Sequence, residues 1–218
     1  LLKFNCKQLI IPGVFITYGI LGLESGQIKG FNSGISTEVK EHIDEKTSID
    51  DFSQYVPIAS IYGLAALGIS KNSTKNKTII AATSYILMGL TVNTLKKTAS
   101  VERPDGTSFN SFPSGHTATA FMGAELLFQE YKDVSVWYGI SGYFVATGTG
   151  LFRMYNNRHW LTDVAAGAGI GILSAKAGYW LFPYTSKLFT KKNSTNTKTA
   201  MIPFYDGKRF AFGFVKTF

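Results

Sequence analysis

The chain has 218 residues, of which 45% are hydrophobic, 14% aromatic and only 17% charged, with a formal net charge of +8. That length suits one sizeable core, and so little charge beside abundant Phe, Tyr and Gly argues against an ordinary cytosolic protein. The lone Cys6 excludes an internal disulfide, and the basic residues lie in tails and loops between apolar runs, which favours an anionic membrane surface over nucleic acid as their counterpart.

Six apolar runs are predicted as helices: 8–23, 55–70, 78–95, 117–129, 134–152 and 164–182. The third and fifth carry no charge. At about 1.5 Å per residue the third would extend ~27 Å, close to the ~30 Å of a bilayer's hydrocarbon core. The fourth and sixth contain Glu125 and Lys176, charges that a membrane bundle normally turns inward or lets snorkel outward. The expected fold is all-α: a six-helix bundle, read as transmembrane. The competing reading is a soluble bundle of very apolar helices.

Between the first two runs, residues 24–54 hold seven acids against three lysines. Ile35, Val39 and Ile43 recur every four residues there, which predicts a short amphipathic helix after the first run, lying on a membrane interface or against the bundle. In the sixth run Gly167, Gly171 and Ala175 share this spacing and suit close helix–helix contact. Beyond the bundle domain, 1–183, residues 184–218 form a polar linker and tail. In that tail Asp206-Gly207, flanked by Met201–Tyr205 and Lys208–Val215, predicts a β-hairpin with a two-residue loop.

Three pieces of the chain carry the chemistry: Lys96-x6-Arg103-Pro104, Pro113-Ser114-Gly115-His116, and Arg153-x5-His159-x3-Asp163. In an up-down bundle, the end of the third run, the start of the fourth, the end of the fifth and the start of the sixth share one face, so the pieces converge through topology. The opposite face is expected to carry Lys3, Lys7, Lys71, Lys75, Lys77, Lys187, Lys191 and Lys192. Positive charge stays cytoplasmic, so the site is expected to face outward: a bacterial inner-membrane, multi-pass protein with its site toward the periplasm.

His159 and Asp163 are one helical turn apart, so the carboxylate can hold one ring nitrogen and leave the other free to attack. His116 sits at a helix start, where it can protonate a departing oxygen. The amides of Ser114, Gly115 and His116 would point outward there and bind an anion. Lys96, Arg103 and Arg153 supply charge for phosphoryl oxygens, arginine by bidentate hydrogen bonding and lysine as a point charge. His42, the remaining histidine, has no partner motif.

Together these pieces resemble the three-part signature of the type 2 phosphatidic acid phosphatase superfamily: Lys-x6-Arg-Pro, Pro-Ser-Gly-His and Ser-Arg-x5-His-x3-Asp. The first two match throughout; in the third, Phe152 stands where the family usually has Ser. The resemblance implies a metal-independent phosphatase with no cofactor. His159 would attack phosphorus to form a phosphohistidine, Asp163 would orient it, and His116 would protonate the leaving group and then activate water. Lys96, Arg103, Ser114, Gly115 and Arg153 would hold the phosphate, with Lys97, Asp105 and Arg158 as further substrate contacts. The implied substrate is a lipid phosphate: lipid A phosphate, undecaprenyl pyrophosphate, phosphatidylglycerol phosphate or phosphatidic acid. A soluble broad-specificity acid phosphatase, a vanadate-dependent haloperoxidase and a non-catalytic envelope scaffold are the alternatives.

Overall fold

The computed structural model describes residues 2–42, 48–69, 72–189, 198–205 and 210–217. A short 3-10 turn, Cys6–Leu9, leads into α1 (Ile10–Glu24), α2 (Gly26–His42), α3 (Ile49–Ser53), α4 (Val56–Ala66), α5 (Thr74–Ala99), α6 (Gly115–Tyr131), α7 (Val136–Tyr155) and α8 (Leu161–Phe189). Two strands follow, β1 (Lys198–Tyr205) and β2 (Phe210–Thr217). Leu1–Thr185 and Ser186–Phe218 are separate compact units.

Each of the six apolar runs is a helix, and the described residues contain eight α-helices, one more than the six runs and the single short amphipathic helix expected. The acidic stretch 24–54, expected to hold one short helix, supplies both α2 and α3. The α2 helix is 17 residues long, and Ile43, counted in its apolar stripe, lies outside the described residues. Its docking contacts are polar. Asn32 donates to the Thr162 hydroxyl at 2.9 Å, and Ser36 donates to Asn157 at 2.9 Å. Both side chains are buried, so α2 packs on the corner between α7 and α8.

Helix ends follow local chemistry. Ser114 caps α6 by accepting from the Thr117 amide, and Ser135 caps α7 by accepting from the Trp137 amide. Pro57 stands in the first turn of α4, where its missing N–H costs nothing. Ser100, at φ 47°, takes the left-handed conformation that ends α5.

The core of the helical unit centres on α6. Met122 and Tyr131 are fully buried there, and the Tyr131 hydroxyl donates to the Ile61 carbonyl at 2.8 Å, tying α6 to α4. Against α6, α8 lies almost flush. A Cβ at Gly167 would meet the Ser114 carbonyl oxygen at 2.5 Å, and one at Gly171 would meet the Ala118 carbonyl oxygen at 2.3 Å. Ala175, next in the row, is fully buried. The four-residue row of small residues is thus a backbone-to-side-chain contact surface.

Among the described residues, two helices are long and apolar enough to cross a membrane: Cys6–Glu24, counting the preceding turn, and Thr74–Ala99. Only 17% and 28% of their apolar windows are buried inside the protein, so most of their apolar surface faces outward. Trp137, Ile140, Phe144 and Leu151 extend that surface along α7. The two charges inside the apolar runs meet each other: Lys176 donates to Glu125 at 2.5 Å. Gln129 donates to Glu125 at 2.7 Å and the Tyr143 hydroxyl donates to its other oxygen, so α6, α7 and α8 share one satisfied carboxylate. Charges removed from water persist only when paired in this way.

Lys77 departs from the sequence reading. It is not an open loop cation; it lies buried in the first turn of α5, 3.6 Å from Glu130 and over the Tyr131 ring at 5.7 Å. Lys71, Lys191 and Lys192 lie outside the described residues. In the second unit β1 and β2 pair antiparallel, with Tyr205 opposite Phe210. The expected Asp206-Gly207 loop lies outside the described residues.

Gly171→Ala should lower the thermal unfolding midpoint in detergent. A methyl against a carbonyl oxygen forces the two helices apart, and overpacking of this kind costs roughly 1–3 kcal/mol. Gly148→Ala, where an added Cβ meets nothing within 4 Å, should leave the midpoint unchanged or slightly raised. Equal effects at both positions would refute the close-contact account.

Candidate active site

Lys96 lies in the last turn of α5, and beyond Ser100 the chain folds back over the helix end. A turn forms there. The Arg103 amide donates to the Ser108 carbonyl at 3.0 Å, and the Gly106 amide donates to the Arg103 carbonyl at 2.9 Å. Asp105 accepts from both the amide and the hydroxyl of Thr107. Asn110 then gathers the two cations: Lys96 donates to its carbonyl at 2.5 Å, and Arg103 Nε to its side-chain oxygen at 2.9 Å. The six intervening residues of the first motif are thus the length of chain that returns Arg103 to the level of Lys96.

At the start of α6 the structure corrects one expectation. The Ser114 amide does not point outward; it donates to the Asp163 carbonyl at 3.0 Å, and the buried Ser114 hydroxyl is engaged with Thr117. Ser114 is therefore the joint between α6 and α8. The amides of Gly115 and His116 belong to the first turn and have no acceptor within the helix, which leaves them available as donors. A Cβ on Gly115 would come no closer than 3.7 Å to Val92. The protein's own packing thus leaves room for a side chain there, and glycine keeps that space open.

Arg153 ends α7, where its guanidinium pairs with the Asp50 carboxylate while its Nε is buried without a hydrogen-bond partner. An unpartnered buried donor is costly, and an anionic ligand would relieve it. His159 follows on the corner that α2 buttresses, and only 3% of its surface is exposed. Its Nδ1 is 3.6 Å from Asp163 Oδ2, too long for a direct hydrogen bond. The buried Ser111 hydroxyl stands beside both: it donates to Asp163 Oδ2 at 2.5 Å and lies 3.4 Å from Nδ1. Asp163 also accepts from the Trp160 amide at 2.9 Å. The carboxylate is therefore clamped facing the imidazole.

Both histidines lie outside the apolar runs, and the field of the site acts on both. Burial pushes His159 down to about 4, with Lys96 and Arg153 acting in the same direction and Asp163 against them. His159 is thus neutral at ordinary pH, the form that can attack. Burial and Arg153 also lower His116, while Asp51 and Asp50 pull it up.

All eight sequence-predicted residues, Lys96, Arg103, Ser114, Gly115, His116, Arg153, His159 and Asp163, thus lie at the same end of the bundle. Arg158 and Asp105, proposed as substrate contacts, instead pair with each other at 3.1 Å. Phe152 packs edge-on against Tyr155, with ring centroids 6.1 Å apart. Sequence reasoning missed Asn110, Ser111, Asp50 and Asp51. Asp50 and Asp51 were visible only as members of an acidic stretch, and Asn110 and Ser111 only as loop residues before the second motif.

Asp50, Asp51 and His116 bring three potential metal-ligating atoms within 4.8 Å of one another. The Arg153 guanidinium contacts both carboxylates, so the cation position of this cluster is already taken by arginine. Beside the site, a cavity of about 720 Å³ is lined by Glu24, Lys29, Asn32, Glu102, Trp160 and Asp163, among others. It reaches Asp163 but none of Lys96, Arg103, His116 or Arg153, and so adjoins the back of the histidine–aspartate pair.

The same three pieces fall within a stretch, residues 77–187, that matches the PAP2 superfamily. The chain is 41% identical over 174 residues, 75% of its length, to the lipid A 1-phosphatase of Porphyromonas gingivalis, of which it covers 39%. It is 38% identical over 77 residues to the bacitracin transport permease protein BcrC of Bacillus licheniformis, covering 35% of this chain and 36% of that protein. The chain thus spans less than two fifths of the length of these curated relatives. In fold it is similar to the transmembrane PAP2 type phosphatidylglycerolphosphate phosphatase of Bacillus subtilis, with a TM-score of 0.50 at 19% identity, over 87% of this chain and 100% of that one. With the motif residues gathered at one end of such a bundle and the match covering half of the sequence, the chain belongs to the PAP2 superfamily.

Proposed function

We propose that this chain hydrolyses lipid phosphate esters through a phosphohistidine on His159. The observation that carries the reading is a buried, neutral His159 clamped beside Asp163 in the field of Lys96 and Arg153. With Nδ1 turned toward Asp163, the other ring nitrogen attacks phosphorus. Lys96, Arg103, Arg153 and the first-turn amides of α6 hold the phosphoryl oxygens and meet the charge that develops on them. Ser114 contributes by holding the start of α6 against Asp163. His116 gives its proton to the departing lipid oxygen as the phosphorus–oxygen bond breaks, leaving phosphate bound to His159. Neutral His116 then takes a proton from water, which attacks phosphorus and releases inorganic phosphate, and His159 is restored. Asp163 stabilises the positive charge that the His159 ring carries while phosphorylated.

The outward apolar faces of α1, α5 and α7 favour a membrane setting, with the site at one boundary of the bilayer. Lys3 and Lys7 precede α1 at the opposite end of the bundle, which supports a site facing the periplasm across a bacterial inner membrane. Lipid A phosphate is the first choice of substrate, because a lipid A 1-phosphatase is 41% identical over three quarters of the chain. Undecaprenyl pyrophosphate, phosphatidylglycerol phosphate and phosphatidic acid are the other members of the class.

Detergent-purified protein with excess chelator should release phosphate from at least one lipid of this panel, and His159→Ala should lower kcat by about 10³-fold or more while remaining folded. Normal turnover in that variant would overturn the assignment. The acid limb of kcat/KM should lie near pH 4. A nucleophile lowered to about 4 stays neutral until the pH falls that far, whereas an ordinary imidazole would protonate around 6.5. An acid limb near 6.5 that belonged to His159 would contradict the buried, neutral nucleophile. Ser111→Ala should lower kcat with little change in KM, because it frees the carboxylate that faces His159 and leaves the phosphate cations in place. An unchanged kcat would remove Ser111 from the mechanism.

A further inference from the structure

The three family motifs leave His116 without a carboxylate, whereas His159 has Asp163. The structure supplies one from outside the motifs. Asp51, on α3, places Oδ1 3.0 Å from His116 Nε2. That is a direct hydrogen bond, shorter than the 3.6 Å between His159 and Asp163.

The placement of Asp51 is built. Its neighbour Asp50 is 1% exposed and accepts from both Arg153 and Asn156, the latter at 2.9 Å. Two residues after Asp51, Ser53 shares a hydrogen bond of 2.7 Å with Thr149. Three polar contacts thus pin α3 to α7 on either side of Asp51. The charged groups facing His116 are Asp51 and Asp50 from α3 and Arg153 from α7. Asp50 is committed to Arg153 and Asn156, which leaves Asp51 as the carboxylate available to the imidazole.

We infer that Asp51 is the positioning partner of His116, making α3 a fourth piece of the catalytic site with a second histidine–aspartate pair. The inference rests on the reading of His116 as general acid. Asp51 accepts from Nε2–H, which turns the other ring nitrogen toward the leaving oxygen. Its negative charge also favours the protonated imidazole, the form that can give up a proton, against burial and Arg153. Asp50 has a companion role: it fixes the arginine that holds the phosphate, so two adjacent residues of α3 set both the acid and a phosphate-binding cation.

A different role for the same carboxylate is an occluding one. Asp51 Oδ1 is also 3.9 Å from Arg153, so its oxygen lies where a phosphate oxygen would touch both groups. The side chain is 58% exposed and free to be displaced. Kinetics separates the two. The full chain in detergent would be assayed on phosphatidic acid and on lipid A phosphate from pH 4 to 9, with Asp51→Asn, Asp51→Glu and His116→Ala, and with vanadate as competitor. A positioning partner predicts that Asp51→Asn lowers kcat about 10-fold with KM nearly unchanged. It also predicts that the alkaline limb of kcat moves about one unit lower, because removing a nearby carboxylate lowers the imidazole pKa and the acid loses its proton sooner. Asp51→Glu should recover part of both, and Asp51→Asn should add nothing once His116 is alanine. Unfolding midpoints near wild type would confirm that so exposed a substitution leaves the fold intact. Tighter vanadate inhibition and lower KM at unchanged kcat would identify an occluding carboxylate and overturn the inference, as would a pH profile identical to wild type. A wild-type chain inactive on both substrates would overturn the phosphatase reading itself, and this inference with it.

Discussion

The close crossing of α6 and α8 is the constraint on which the site depends. Gly167 and Gly171 let the backbone of α8 lie against the Ser114 and Ala118 carbonyls, closer than any residue with a Cβ would allow. The Ser114 amide then reaches the Asp163 carbonyl, so the second and third motifs are joined through the main chain. Side chains placed on such a joint inherit its rigidity. His116 stands two residues after Ser114 and His159 four residues before Asp163, so both histidines are short steps in the chain from this joint.

Electrostatics divides the helical unit into two regimes. Along the apolar helices, each buried charge lies against an opposite one: Glu125 with Lys176, and Lys77 with Glu130. At the site end positive charge is concentrated. Lys96 and Arg103 share Asn110, a neutral partner that orients them without cancelling their charge. Arg153 is paired with Asp50 yet keeps a buried Nε unsatisfied. A cluster of cations held this way is preorganised for an anion, and the energy that holds it comes from the fold.

Sequence spacing was enough to find the motifs and, through helix order, to place them at one end. It was enough for the Gly167–Gly171–Ala175 row, because helical periodicity reports which residues share a face. It failed where a contact depends on partners far apart in the chain with no periodic signature. Arg153 and Asp50 are separated by 103 positions, and His116 and Asp51 by 65. The stretch 24–54 read as an acidic, weakly amphipathic segment; its function came from polar contacts at Asn32, Ser36 and Asp50 that a hydrophobic pattern cannot show. Lys77 counted as a loop charge because the sequence reading began the helix at residue 78, whereas α5 begins at Thr74 and buries it. Ser114 read as an anion-binding amide because a helix start generally frees its amides; here a neighbouring carbonyl had taken that one.

If His159 carries the phosphoryl group between the two halves of the reaction, a phosphorylated form of it must be present during turnover. Quenching the wild-type protein at high pH during steady turnover of a lipid phosphate, then mapping phosphorylated peptides by mass spectrometry, tests it directly. The peptide containing His159 should carry a base-stable, acid-labile phosphoryl group, absent when phosphate ester is omitted and accumulating when His116 is replaced by alanine and the phosphate ester has a good leaving group. Continued turnover with no phosphorylated His159, or with the group found on another residue, would contradict it.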